Sequence, residues 1–182
     1  MRTLAPVSAL AIIISLMLGG CVPSAPDASP TPEPSSTPVF ASEEEALAAA
    51  EEAYAAYVAM SDLIFVEGGA NAERMTAVAT GAFLEATLSS FNEVQANGLH
   101  STGGTVFRDV SLQSYSPDSL SADIVSVYVC EDISAVNVFD SAGQSIVSAD
   151  RPDQTVFQVV FDLGNGGGLL VASREVWKNE PC

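Results

Sequence analysis

Six prolines fall within residues 22–38, at positions 23, 26, 30, 32, 34 and 38. Each one fixes φ and removes a backbone donor, so neither a helix nor a sheet ladder can run through the stretch. Between Pro23 and Pro38 there is no large apolar side chain whose burial could offset the entropy of ordering it. The stretch therefore reads as an extended tether rich in proline, serine and threonine, spanning residues 21–40. A folded domain is expected over residues 41–182, about 142 residues, which is long enough to bury a core and fits one domain.

Ahead of the tether, Arg2 precedes an apolar run over residues 10–18. That run is too short to span a bilayer, which takes about 20 apolar residues, and it matches the apolar segment of an export signal instead. Leu18-Gly19-Gly20-Cys21 follows at once. The four residues resemble the lipobox of bacterial lipoproteins, in which an aliphatic residue and two small ones precede a cysteine. The resemblance implies a signal peptide over residues 1–20, a diacylglyceryl group on the Cys21 thiol, and an N-terminal acyl chain such as palmitate. More than one chain gives stable attachment, so the domain is expected at the extracytoplasmic face of the cell membrane. The alternatives are an ordinary membrane anchor or a secretory signal with a chance cysteine. Neither accounts for apolar run, small residues and cysteine standing in register.

Setting aside Arg2, Asp27 and Glu33, residues 41–182 carry 5 basic and 21 acidic side chains, a balance of −16. Such a surface repels nucleic acid and anionic lipid headgroups and excludes both as partners. It suits a basic protein face or cations, and it also keeps the chain soluble.

With Cys21 assigned to lipid, Cys130 and Cys182 remain as a pair in a compartment where disulfides persist. A bond between them would tie down the end of the chain. A redox role is disfavoured, because there is no Cys-x-x-Cys spacing and Cys130 is followed by Glu131 and Asp132, whose charges oppose a thiolate.

The order of elements is read from the period of the apolar residues. Ser42 and Glu45 have the spacing of a capping box, and Leu47, Ala50, Tyr54, Tyr57 and Val58 continue as one helical stripe. This predicts a helix of four to six turns that stops before Gly68-Gly69. A short helix after Asn71 and a third over residues 81–96, ended by Gly98, follow from the same pattern. Beyond His100 the period changes to that of strands, over residues 105–115, 122–130, 155–163 and 169–177, with 133–139 either a short strand or part of an irregular extension. Helices first and hairpins after indicate an α+β fold, with the helices packed on a strongly curved, mainly antiparallel sheet.

The first helix with Tyr54 and Tyr57, the Thr80-Gly81-Ala82-Phe83-Leu84 helix opening, and the last strand with Arg174-Glu175-Val176-Trp177 resemble the nuclear transport factor 2-like family, also called SnoaL-like or cystatin-like. Small actinobacterial lipoproteins with this tether and domain order are a similar group. The resemblance implies a cone of helices and bent sheet, often enclosing a pocket. Family isomerases and cyclases place an aspartate, or an aspartate and a histidine, at that pocket.

No catalytic, cofactor or metal residue is nominated from this sequence. His100 is the single histidine, within a Gly/Ser/Thr stretch that reads as an exposed connection, and Asp62 and Asp132 read as surface polar groups. One histidine and no free cysteine pair cannot build a zinc site. The glycines at 164 and 166–168 lie between two strand patterns and lack the lysine and helix of a phosphate loop. The leading expectation is a tethered binding or interaction domain for an envelope protein, a wall component or a small apolar ligand, as monomer or dimer. The rivals are a small-pocket isomerase or cyclase with a buried carboxylate, and an accessory module supporting another envelope protein.

Overall fold

The computed structural model describes residues 38–117, 123–178 and 182. The expected signal peptide over residues 1–20, Cys21 and nearly all of the expected tether lie outside the described residues.

Helix α1, Glu43–Val66, begins where Ser42 adopts extended backbone and its hydroxyl accepts from the Glu45 amide at 3.2 Å. Glu45 answers by accepting from the Ala41 amide at 2.8 Å, and the three glutamates of the first turn complement the helix dipole. The alanine-rich sequence favours a long helix, and at 24 residues it exceeds the four to six turns that the pattern predicts. Its inward face carries Ala46, Ala50, Tyr54, Tyr57, Val58 and Ile64. The helix ends at Gly68-Gly69, both with positive φ. A side chain on Gly69 would collide with the Phe91 carbonyl of the next long helix, so this glycine sets how closely the two helices approach. A 3-10 turn, Ala72–Ala77, then leads to α2, Gly81–Ala96, which packs Phe91 into the core and half-buries Phe83, Leu84 and Leu88.

The strands are β1 (His100–Thr102), β2 (Val106–Tyr115), β3 (Val125–Asp132), β4 (Asn137–Phe139), β5 (Gln154–Leu163) and β6 (Leu169–Lys178). Four form an antiparallel sheet in the order β2-β3-β5-β6, and β1 and β4 form a separate antiparallel pair. The fold is α+β, helices on antiparallel sheet. Register breaks in β2, at Arg108/Ser111 and Leu112/Ser114, and in the β5–β6 ladder, at Val156/Phe157 and Val160/Phe161, bend the sheet.

Strand β3 is buried along most of its length because it lies inside the sheet and is covered on the helix side. Val125, Val127, Val129 and Glu131 stand opposite Phe161, Val159, Phe157 and Thr155 of β5 on the face toward α1. Ser126, Tyr128 and Cys130, with Gln158, alternate onto the outer face. Tyr54, Ile64, Phe161, Val127, Val159 and Val171 form the fully buried centre. Truncating an aromatic such as Phe161 to alanine would cost about 3–5 kcal/mol.

Two tie-points close the domain. The Val171 amide donates to the Val78 carbonyl at 3.0 Å and the Thr80 amide to the Val171 carbonyl at 2.9 Å, which lashes the start of α2 to β6. The Tyr115 hydroxyl accepts from the Phe40 amide at 2.7 Å and donates to the Phe40 carbonyl at 2.8 Å. Val39 and Phe40, grouped with the tether by sequence, are thereby held on the domain. Cys130 and Cys182 are disulfide-bonded, with Cα atoms 6.0 Å apart, as the cysteine count predicts.

One local expectation is corrected. The segment around His100 reads as an exposed connection, yet His100–Thr102 is a strand paired with Asn137–Phe139, and Ser101 is buried. Gly103 explains why polar, glycine-rich sequence packs here. Its positive φ and missing side chain let the chain run against the Ala135 carbonyl.

Candidate functional site: a buried ion pair beside a small polar pocket

The alternation that puts Val125, Val127 and Val129 in the core carries on to Glu131, placing a carboxylate at 5% exposure. A lone carboxylate there would be strongly disfavoured. Partners arrive from two other elements. Arg174 of β6 donates through Nε to Glu131 Oε1 at 2.9 Å and through its second terminal nitrogen to Oε2. Tyr54 of α1 donates its hydroxyl to Glu131 Oε1, and Arg174 Nε also reaches the Tyr54 oxygen at 3.2 Å. The guanidinium lies 3.4 Å above the Phe157 ring centre, and the Tyr54 ring packs edge-on against Phe107 and Phe161. Charge, hydrogen bonds and ring faces therefore fix one arrangement.

The protonation states follow. Burial first, and the Glu131 charge second, push the Tyr54 hydroxyl well above its ordinary value, so it stays a donor. Burial likewise raises Tyr57. Burial opposes the Arg174 charge, but the hydrogen bonds to Glu131 and the neighbouring tyrosines more than offset it, and the guanidinium stays charged.

A pocket of about 150 Å³ opens beside this cluster, between Tyr57, Ser61, Asp62 and Thr105 on one side and Glu131 and Arg174 on the other. A smaller one, about 80 Å³, lies across Arg174 toward Ile133, Thr155 and Phe157. Asp62 accepts from the Thr105 amide at 2.7 Å and from the Thr105 hydroxyl at 2.9 Å, pinning the start of β2 to α1.

Of the residues weighed from sequence, the fold brings only Asp62 to this pocket. Asp132 faces the other side of β3, where Ser134, Gln154 and Arg108 hold it and keep its carboxyl well below the ordinary range. His100 stacks on Phe139 with ring centres 5.6 Å apart. Sequence reasoning missed Glu131, Arg174 and Tyr54 as a unit. The available signal was a glutamate in phase with three core valines and a strand arginine in an otherwise arginine-poor chain. Among the described residues no three His, Cys, Asp or Glu side chains are grouped to hold a metal ion.

Chemically, the carboxylate has both oxygens engaged, one by a phenol and an arginine and the other by the same arginine. Such a group orders a core and can offer a polar wall to a ligand.

The fold is similar to the crystal structure of the intermembrane space region of the chloroplast protein ARC6, with a TM-score of 0.51 and 16% sequence identity over 71% of this chain and 95% of that one. At that identity the likeness concerns the fold alone. No family model matches the chain, and no curated protein matches it.

Proposed function

We propose that this protein is a lipoprotein whose lipid on Cys21 holds a non-catalytic binding domain, of the nuclear transport factor 2-like kind, at the extracytoplasmic face of the cell membrane. The observation that carries the non-catalytic part is the engagement of Glu131: the one carboxylate buried among the described residues is bound on both oxygens by Arg174 and Tyr54. The pocket against Glu131, about 150 Å³, is below the roughly 300–1,000 Å³ typical of small-molecule sites, and it shares Val58, Asp62 and Thr105 with an open groove of about 410 Å³ that does not reach Glu131. An isomerase or cyclase needs a free carboxylate in an open cone, so the geometry favours recognition over turnover. The anchoring part is supported by the lipobox, the proline tether, and a disulfide of the kind that persists outside the cytoplasm.

Cell fractionation tests the placement. The wild-type chain is expected in the membrane fraction and in the detergent phase on phase separation, and Cys21→Ala in neither. Equal partitioning of the two chains would refute the anchor.

A further inference from the structure

The outer face of the sheet, away from the helices, has a composition unlike the rest of the molecule. Trp177 is 50% exposed there, and its ring lies 4.9 Å, centre to centre, from that of Tyr128. Beside them Gln113 Oε1 accepts from Ser126 Oγ at 2.5 Å and from Gln158 Nε2 at 2.6 Å. Both lone pairs of that carbonyl are thus used. Among the described residues, the Gln113 amide nitrogen and the Gln158 amide oxygen have no protein partner and are open to a ligand. The result is an aromatic platform edged by amides with a donor and an acceptor to spare.

The charges on this face are of both signs. Arg108 is paired with Asp132 at 3.6 Å and Asp109 at 3.3 Å, and Glu175 and Lys178 flank Trp177. With Asp162 on the same face, the anions outnumber the cations, so the patch repels a polyanion as the whole chain of net charge −17 does. We propose that this face, centred on Trp177 and Tyr128 with Gln113 and Gln158, is a binding platform for a neutral chain of hexose or N-acetylhexosamine units.

The chemistry of such a chain is complementary to the face. The C–H face of a pyranose ring is apolar and slightly positive, and it packs on the negative face of an aromatic ring, while its hydroxyls both donate to and accept from carboxamides. Tyrosine and tryptophan suit this role because each offers an apolar body with a polar edge. A polyanionic glycan is disfavoured by the acidic chain as a whole. Val156 and Val160 also lie on this face, opposite Cys130 and Ser126, and extend the apolar ground beside the two rings.

This site deepens the proposed binding role and rests on it only for which glycans the domain meets. Its test uses purified protein and does not depend on anchoring, so either idea can fail alone. Trp177 is the only tryptophan in the 182 residues, so intrinsic fluorescence reports on this face alone. The full chain, held in zwitterionic detergent, is titrated with chitohexaose, with cellohexaose and with heparin. The expected result is a saturable change in Trp177 emission with at least one neutral oligosaccharide and none with heparin. By calorimetry, Trp177→Ala is expected to weaken that binding more than about tenfold, as for loss of a central aromatic anchor. Trp177→Phe should keep part of the affinity, and Gln158→Ala should weaken it several-fold. Unchanged circular dichroism in Gln158→Ala and Trp177→Phe keeps the test valid should Trp177→Ala fold poorly. The proposal is overturned by no saturable change with either neutral oligosaccharide, by undiminished binding in folded Trp177→Ala, or by an equal response to heparin. Concentration-dependent dimerisation that Trp177→Ala abolishes would make the face a protein interface and overturn it equally.

Discussion

Replacing Arg174 with methionine keeps an unbranched stem against Phe157 and removes the guanidinium. Glu131 then remains at 5% exposure with Tyr54 as its one surviving partner. Breaking a buried ion pair from one side costs about 3–5 kcal/mol, because the orphaned charge keeps its desolvation penalty. Arg174 is not fully enclosed, its side chain being 24% exposed, which places the loss toward the lower end, about 3 kcal/mol. The cation over the Phe157 ring contributes roughly 0.5–1 kcal/mol within that figure. For a chain of this size, 1 kcal/mol corresponds to about 2–4 °C in melting temperature, so the shift should be about 6–12 °C. Glu131→Gln should cost less, about 1–2 kcal/mol, since the stranded arginine is the more exposed partner. Combined with Arg174→Met, it should cost about 1–2 kcal/mol less than the sum of the two. Urea unfolding followed by circular dichroism and Trp177 fluorescence, with the disulfide intact, reads all three variants. An Arg174→Met chain within about 1 kcal/mol of wild type, or strictly additive losses, would refute the reading of this cluster as one coupled unit.

The disulfide closes a sequence separation of 52 residues, for which the chain-entropy relation gives about 4 kcal/mol. Cys182→Ser should lower stability by up to that amount and reduction of the wild type should match it, whereas denaturation curves unmoved by reductant would contradict the role. Of the four tyrosines, Tyr54 and Tyr57 have hydroxyls raised above their ordinary value of 10.0. Their contribution to stability is complete below about pH 10, where both folded and unfolded forms stay protonated, and is lost as pH rises further and the unfolded phenols ionise. Alkaline absorbance titration should therefore show the Tyr54 and Tyr57 phenols ionising only as the domain unfolds; their reversible ionisation in the folded domain near pH 10 would contradict the burial.

How far the sequence revealed this fold depends on which interactions are local. Ser42 with Glu45 marked the start of α1, and Gly98 marked the end of α2, because caps and stops are set by neighbours in sequence. The long strands could be read because runs of valine, leucine and aromatic residues, on both faces in β5, lie between glycine-, proline- and serine-rich turns. The polar stretch 100–104 was misread because its order comes from Asn137–Phe139 and from the Ala135 backbone, both distant in sequence. The site stayed hidden for a related reason. Glu131 and Arg174 are 43 residues apart and sit on strands separated by β5, so no local pattern joins them, and Tyr54 reads as one more apolar position until its hydroxyl has a partner. The outer platform was equally obscure, since Tyr128 and Trp177 meet only through the β3-β5-β6 order.

The central claim is that a lipid at Cys21 keeps this domain beside its membrane, and mass spectrometry of the mature protein tests it most directly. The account predicts that the N-terminal peptide begins at Cys21 and carries a diacylglyceryl thioether, with an acyl chain on the terminal amine. A mature product starting at another residue, or an unmodified Cys21 in chain released to the medium, would contradict it.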